Sequence, residues 1–201
     1  MSVKTTFTMN ESFPMNAWYA TAWDVELKHE LLARTVCNKK LVLYRKKDGT
    51  PVVLEDACWH RLLPLSKGSL RDDTVVCGYH GPEYNSDGRC SYMPSQETIN
   101  PSACVRSYPA VQKYRFIWVW MGDSSLADES KIPDMHWNDD PKWAGDGKMI
   151  EVKCNYRPVV DNLMTLPMKP LYMPVVLVTE MWPRPHSMCT TMNIRLRSPD
   201  G

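Results

Sequence analysis

The sequence has no uninterrupted run of about 20 apolar residues, which is the length that a membrane-spanning helix requires. Its first residues, MSVKTTFTMNESF, lack an apolar stretch of the signal-peptide type. It also lacks an excess of charge, because 24 Lys and Arg face 23 Asp and Glu. Without an excess of positive charge, binding to a nucleic acid backbone is not expected. These three absences predict a protein with neither a membrane nor a nucleic acid as its partner.

Disulfide staples are not expected either. The seven cysteines are an odd number at irregular spacing, and a chain of 201 residues is long enough to fold stably without disulfide bonds. The pattern favours reduced thiols in a cytoplasmic protein, some of them metal ligands. Four of the thiols are predicted to pack as small apolar side chains, namely Cys37, Cys90, Cys104 and Cys154.

The predicted secondary structure is mostly β up to about residue 125. Apolar spacing predicts a helix over 17–32. Runs rich in β-branched and aromatic residues predict strands, at 40–46 and 50–56 across the turn KDG, at 74–84 and 89–93 across the turn NSDG, at 116–122 and at 147–156. A second helix is predicted over 159–164, after a polar segment at 124–134. The order indicates a mostly β domain followed by the opening of an α+β domain.

A cluster of cysteine and histidine lies in CWHRLLPLSKGSLRDDTVVCGYH, residues 58–80. Cys58 and His60 form one pair, and Cys77 and His80 form a second pair sixteen residues after the first. A zinc knuckle usually takes two cysteines from one turn, whereas here each loop offers one thiolate and one imidazole. That donor set suits a two-iron cluster in which one iron is held by two sulfurs and the other by two nitrogens. The glycines beside Tyr79 and His80 permit tight loops. A structural zinc site, or two core histidines beside buried cysteines, are the other interpretations.

Five segments in order resemble one family. They are MNAWYATAW (15–23), LVLYRKKDGTPVVLEDACWHRLLPLSKG (41–68), VCGYHGPEYNSDGRCSYMPSQ (76–96), RFIWVWMGDSSLAD (115–128) and CNYRPVVDNLM (154–164). The chain resembles the Rieske non-haem iron oxygenases, in the branch of aromatic O-demethylases. Trp59 stands where that family usually has proline. Pro82 stands where leucine is usual and is expected to perturb the second loop.

The resemblance implies a Rieske [2Fe-2S] cluster with Cys58 and Cys77 on one iron and His60 and His80 on the other. It implies a reductase with flavin and its own iron–sulfur cluster, a methoxylated aromatic acid such as vanillate as substrate, and a homotrimer. It also implies the domain organisation, with a Rieske domain at 12–125, a linker at 126–146 and the start of a catalytic domain at 147–164.

The second metal site of that family is missing from this sequence. The resemblance implies a mononuclear Fe(II) bound through a motif of the form N-x-x-D-x-x-H-x-x-x-x-H. Asn162 matches its first position, but Thr165 replaces the aspartate, and Met168 and Met173 replace the two histidines. Thioethers are poor ligands for Fe(II) in an oxygen-activating site. The chain is therefore expected to lack this iron and to be catalytically inactive, although its parent family consists of enzymes.

The genetic code offers a cause for this loss. One G restored before the Thr165 codon lets the following codons read D-L-T-H-E-T-F-V-H-A, which contains the expected motif. The final G of Met168 and the AA of the lysine codon then force glutamate after the first histidine. Residues 165–201 are accordingly predicted to be an out-of-frame tail, which makes this chain a truncated member of the family. Two other functions stay open, a stand-alone Rieske ferredoxin and a zinc-stabilised interaction domain.

Overall fold

A computed structural model describes residues 13–94, 96–143, 149–152, 155–164 and 193–196. The chain divides into two compact units, Met1–Asp134 and Met135–Gly201, and each is described by itself. Within the described residues, no helix is long and apolar enough to cross a membrane. Four residues singled out in the sequence lie outside the described residues, namely Cys154, Thr165, Met168 and Met173.

The first unit is built from antiparallel strands. In chain order they are β1 (Ala17–Trp23), β2 (Leu32–Val36), β3 (Lys39–Arg45), β4 (Pro51–Glu55), β5 (Ser69–Arg71), β6 (Thr74–Val76), β7 (Glu83–Tyr84), β8 (Cys90–Tyr92), β9 (Ser107–Tyr108), β10 (Ala110–Lys113) and β11 (Phe116–Met121). They form three sheets, with strand orders β1-β11-β10, β2-β3-β4-β9 and β5-β6-β7-β8. Short 3-10 turns lie at Leu65–Lys67, Ser124–Leu126 and Glu129–Lys131. The prediction of a mostly β fold is confirmed.

The strand β11 is the centre of its sheet. All six of its residues are buried, which is typical of a strand that is covered on both faces. The predicted hairpin of β3 and β4 is also confirmed, with Leu43 opposite Val53. Its turn needs the positive φ of +91° that Gly49 adopts. The sequence therefore predicts both elements from their β-branched and aromatic content, and the hairpin also from the glycine of its turn.

The helix predicted over 17–32 is wrong. Residues 17–23 form the strand β1, in which Trp18 pairs with Trp120 of β11. The chain then turns, and the Glu26 carboxylate accepts a hydrogen bond of 2.9 Å from the backbone N–H of Trp23. Pairing with a buried strand about a hundred residues away overrides the local spacing, because aromatic residues such as these pack well on a pleated surface.

The second predicted hairpin is present but interrupted. Strand β6 ends at Val76, and pairing resumes only at β7, Glu83–Tyr84. The turn before β8 is held by Asn85, whose side-chain oxygen accepts hydrogen bonds from the backbone N–H groups of Asp87 and Arg89. The interruption leaves residues 77–82 as a loop, and this loop carries Cys77 and His80.

Two apolar clusters form the core of the first unit. One includes Cys58, Cys77, Leu65 and Tyr84, so the candidate ligand loops are anchored in the core. The other cluster packs β11 against β3 and β4, and consists of Ala22, Leu27, Leu41, Leu43, Val53, Tyr108, Ile117, Val119 and Met121.

The other thiols of the first unit differ from one another. Cys37 and Cys90 pack partly against the two clusters, as predicted. Cys104 is exposed, which contradicts the prediction that it packs as a small apolar residue. The reason is that its neighbours Ala103 and Val105 point inward and are buried, and successive side chains of an extended segment alternate between faces.

Truncation of a core aromatic residue is expected to destabilise the first unit strongly. Trp120 is fully buried, its ring meets that of Trp18 edge to face, and its indole N–H donates to the Asp123 carbonyl at 2.7 Å. Trp120→Ala should lower the free energy of unfolding by about 3–5 kcal/mol. Urea unfolding followed by far-UV circular dichroism measures the loss. Val25→Ala, at an exposed position, should change it by less than about 0.5 kcal/mol, and equal effects would contradict this assignment of the core.

The second unit has four described elements. They are a 3-10 turn at His136–Asn138, strand β12 (Met149–Val152), helix α1 (Tyr156–Met164) and strand β13 (Asn193–Leu196). The predicted strand and helix are confirmed, and the Asn155 side chain caps the helix by accepting from the Arg157 N–H at 2.9 Å. Strand β13 was not predicted, and it pairs with β12 in parallel.

Candidate iron–sulfur site

The first ligand loop joins β4 to the 3-10 turn at Leu65–Lys67. The backbone N–H of Cys58 donates to the Leu63 carbonyl at 2.8 Å, and the N–H of Leu62 donates to the Cys58 carbonyl at 2.8 Å. Leu62 adopts a φ of +56°, the left-handed region that non-glycine residues seldom occupy. These bonds make a tight loop that begins at Cys58 and contains His60.

The second ligand loop fills the gap between β6 and β7. The N–H of Cys77 donates to the Pro82 carbonyl at 2.9 Å, and the N–H of Gly81 donates to the Cys77 carbonyl at 3.1 Å. Gly81 has a φ of +76°, which supports the glycine requirement inferred from the sequence. Pro82 is buried and closes the loop through its carbonyl, so its missing N–H is not needed there.

The two loops touch through backbone at two glycines. A Cβ on Gly68 would lie 2.0 Å from the Val76 carbonyl oxygen, and one on Gly78 would lie 2.9 Å from the Lys67 carbonyl oxygen. Distances below 3.0 Å are not tolerated by real Cβ atoms, so only glycine allows this approach. The exit of the first loop is therefore held directly against the second loop.

The four candidate ligands form a sulfur pair and a nitrogen pair. Cys58 and Cys77 are each only 2% exposed, and both belong to the same apolar cluster. His60 and His80 are exposed, and their ring centroids lie 4.8 Å apart. No three Cys, His, Asp or Glu side chains of the described segments converge on a single point. The two buried thiols and the two exposed imidazoles fit the donor set of a two-iron cluster in which one iron is bound by two sulfurs and the other by two nitrogens.

Hydrogen-bond donors surround the sulfur pair. Burial raises the pKa of the Cys77 thiol, and the backbone N–H groups of Tyr79 and His80 act in the opposite direction. The Tyr84 hydroxyl lies 3.1 Å from Cys58 Sγ, and burial raises the pKa of this phenol above its usual value. It therefore stays protonated and can donate to a thiolate. Donors of this kind stabilise negative charge on the sulfurs, which is the form that binds iron.

Comparison with known proteins agrees with this geometry. Residues 17–112 match the family model described as the Rieske [2Fe-2S] domain. The chain belongs to the Rieske oxygenases. The matched residues include both loops that carry the four candidate ligands singled out in the sequence.

The relatives of this Rieske oxygenase chain include subunits of an O-demethylase and of a monooxygenase system. It is 43% identical to the vanillate O-demethylase oxygenase subunit of Pseudomonas sp. (strain HR199 / DSM 7063) over 154 residues, which is 77% of this chain and 43% of the relative. It is 42% identical to the toluene-4-sulfonate monooxygenase system iron-sulfur subunit of Comamonas testosteroni over 153 residues, 76% of this chain and 44% of that one. The chain spans about half the length of the curated relatives it matches.

The fold of the chain is similar to that of a solved Rieske oxygenase. A crystal structure of dicamba monooxygenase with non-haem iron and dicamba superposes with a TM-score of 0.73 and 40% identity, covering 80% of this chain and 50% of that one. The dicamba O-demethylase oxygenase component of Stenotrophomonas maltophilia is 42% identical over 156 residues, 77% of this chain and 46% of the relative.

Three aromatic residues lie beside the candidate ligands. Trp59, between two of the candidate ligands, is 41% exposed, so its side chain adds to the surface around His60 without entering the core. Tyr84 was missed in the sequence, because its contact with Cys58 spans 26 residues and no local spacing signals it. Tyr79, beside His80, packs on that imidazole with 3.7 Å between ring centroids.

Proposed function

We propose that the Rieske domain of this chain holds a [2Fe-2S] cluster and accepts electrons through it. Cys58 and Cys77 would bind one iron, and His60 and His80 the other. The observation that carries the proposal is the buried sulfur pair beside an exposed nitrogen pair. Bound there, the cluster supplies one-electron transfer at potentials of roughly −150 to +300 mV, because neutral imidazoles leave it less negative than four thiolates would.

The residues around the ligands would have distinct roles. The core keeps water away from the thiols of Cys58 and Cys77, which favours a stable iron–sulfur bond over exchange with solvent. The Tyr84 hydroxyl and the N–H groups of the second loop would stabilise charge on the sulfurs, which makes reduction easier. The exposed imidazoles leave one side of the site accessible to a redox partner.

For the whole protein we propose the oxygenase subunit of an aromatic O-demethylase, acting on a methoxylated aromatic acid of the vanillate type. A reductase with flavin and an iron–sulfur cluster would deliver electrons from NADH. The support is that two relatives are O-demethylase oxygenase subunits, named for vanillate and dicamba. A toluene-4-sulfonate monooxygenase matches almost as well. Aromatic acids as a substrate class are therefore better supported than any single compound as the substrate.

The domain organisation is part of the proposal. We assign the Rieske domain to 12–125, a linker to 126–146, the start of the catalytic domain to 147–164 and an out-of-frame tail to 165–201. The match to the vanillate relative extends over 154 residues, about the length of the segment 12–164. Asn162 lies in the last turn of α1. The family implies a homotrimer, which we do not expect of a chain whose tail is read out of frame.

Two rival functions make different predictions. A stand-alone Rieske ferredoxin would carry the same cluster but would have no reason to continue into the segment CNYRPVVDNLM, which is part of the resemblance to the oxygenases. A zinc-stabilised interaction domain would be colourless. The metal content therefore separates the second rival from the proposal. The match to an oxygenase subunit over 154 residues, which is longer than the first unit, argues against the first rival.

The test is the metal content of the chain purified without oxygen. We expect a red-brown protein with two irons and two sulfides per chain, and an EPR signal of the Rieske type after reduction, because histidine ligation lowers the average g value relative to all-cysteine clusters. Iron and sulfide assays together with EPR measure this. A colourless protein with stoichiometric zinc would exclude the proposal.

A further inference from the structure

A buried carboxylate closes the base of the first ligand loop. Asp56 directly follows β4 and is only 6% exposed. Its Oδ1 accepts a hydrogen bond of 2.6 Å from the backbone N–H of Ser66, and its Oδ2 accepts one of 2.7 Å from the Ser66 hydroxyl. The two bonds join the ends of the segment 57–65. Cys58 and His60 both lie inside the segment that is closed in this way.

The closed geometry is strongly preferred because a buried carboxylate is costly unless its oxygens are hydrogen-bonded. Charge-assisted bonds of this kind are shorter and stronger than neutral ones. If Ser66 moved away from Asp56, both carboxylate oxygens would lose the partner described here. The position of Ser66 is therefore tied to the end of β4, and the loop cannot widen without exposing a charge or leaving it unsatisfied.

The same contact reaches the second ligand loop. Ser66 is the middle residue of the 3-10 turn at Leu65–Lys67, and Leu65 packs in the same apolar cluster as both candidate thiols. Gly68 follows the turn and lies against the Val76 carbonyl, one residue before Cys77. A continuous path of short contacts thus runs from Asp56 through Ser66 and Gly68 to the second loop.

We infer that Asp56 and Ser66 are positioning residues, which hold Cys58 and His60 in register with Cys77 and His80. This inference rests on the proposed function, since it takes those four residues as the cluster ligands. Asp56 also places a negative charge at the base of a ligand loop. That charge opposes the addition of an electron to a nearby centre.

The test compares variants of the full chain that carry the cluster. Ser66→Ala removes the 2.7 Å bond and should release iron to a chelator about tenfold faster, as expected for a lost hydrogen bond to a charged group. Its EPR lines should also broaden, because the His60 geometry becomes less uniform. Ser66→Thr keeps both donors and should behave like the wild type. Asp56→Asn removes the charge and should raise the reduction potential.

The chain supplies a matched control. Ser125 donates its N–H and its hydroxyl to Asp123 Oδ1, at 2.9 and 2.8 Å, in an exposed turn outside the ligand loops. Ser125→Ala removes a serine–aspartate bond of the same kind and should change neither iron release nor the EPR spectrum. The reduction potential of both serine variants is measured alongside, as is their thermal unfolding.

The possible results have distinct meanings. Equal iron release from Ser66→Ala and Ser125→Ala would overturn the positioning role while leaving the proposed function intact, and an unchanged potential in Asp56→Asn would overturn the effect of the Asp56 charge. A wild-type chain without iron and sulfide would overturn both. If Ser66→Ala does not fold, iron release from Asp56→Asn decides, because asparagine offers Ser66 one acceptor in place of two; release at the wild-type rate would then overturn the positioning role.

Discussion

A His80→Cys variant is expected to retain two irons while its reduction potential falls, by on the order of 100 mV or more. The physical reason is charge. A thiolate in place of a neutral imidazole makes the cluster more negative, so the addition of an electron becomes less favourable. The exposed position of His80 leaves room for the shorter side chain. Spectroelectrochemical titration of the purified chain measures the potential, and iron analysis measures retention.

The control for that variant is His29→Cys. His29 is exposed on the same unit, and its Nδ1 lies 2.8 Å from the Arg45 carbonyl, away from both ligand loops. The substitution introduces the same thiol without touching the proposed ligands, so the potential should stay at the wild-type value. A His80→Cys potential equal to that of His29→Cys would count against His80 as a ligand.

The 201-residue chain is expected to release no formaldehyde from vanillate, even with a competent reductase and NADH. With Thr165, Met168 and Met173 at the positions where the resemblance implies an aspartate and two histidines, the second iron would have no suitable ligands. Reduction of the Rieske cluster should still occur. A formaldehyde assay and the loss of NADH absorbance measure the two activities separately.

The matching control restores one G before the Thr165 codon and extends the gene by some 600 bases. We expect the restored frame to continue with a histidine motif and the remainder of a catalytic domain. Formaldehyde formed by the uncorrected chain in proportion to NADH consumed would refute the loss of the iron site. An unrelated sequence or early stop codons in the restored frame would refute the frameshift.

The sequence singles out the candidate ligand loops because each cysteine–histidine pair is local. Cys58 and His60, or Cys77 and His80, share one short loop, so spacing and donor chemistry identify them without knowledge of the fold. The hairpin of β3 and β4 is predictable for the same reason, since its turn and both its strands are contiguous.

Contacts between distant segments could not be predicted in this way. The spacing of residues 17–32 fits a helix, and only the long-range pairing of Trp18 with Trp120 makes β1 a strand. The Tyr84 contact with Cys58 likewise depends on how β7 is placed in its sheet. In both cases the deciding interaction is tertiary packing, which outweighs a local preference worth a few tenths of a kcal/mol per residue.

The backbone contact of Gly68 and Gly78 has a consequence for how this region opens and closes. Proteins fluctuate through cooperative units that unfold locally as a whole. Because the exit of one ligand loop lies directly against the other, neither can swing outward without breaking the packing of its partner. The two loops therefore form a single unit of local unfolding, and the buried thiols of Cys58 and Cys77 would reach solvent only when both halves open in the same event.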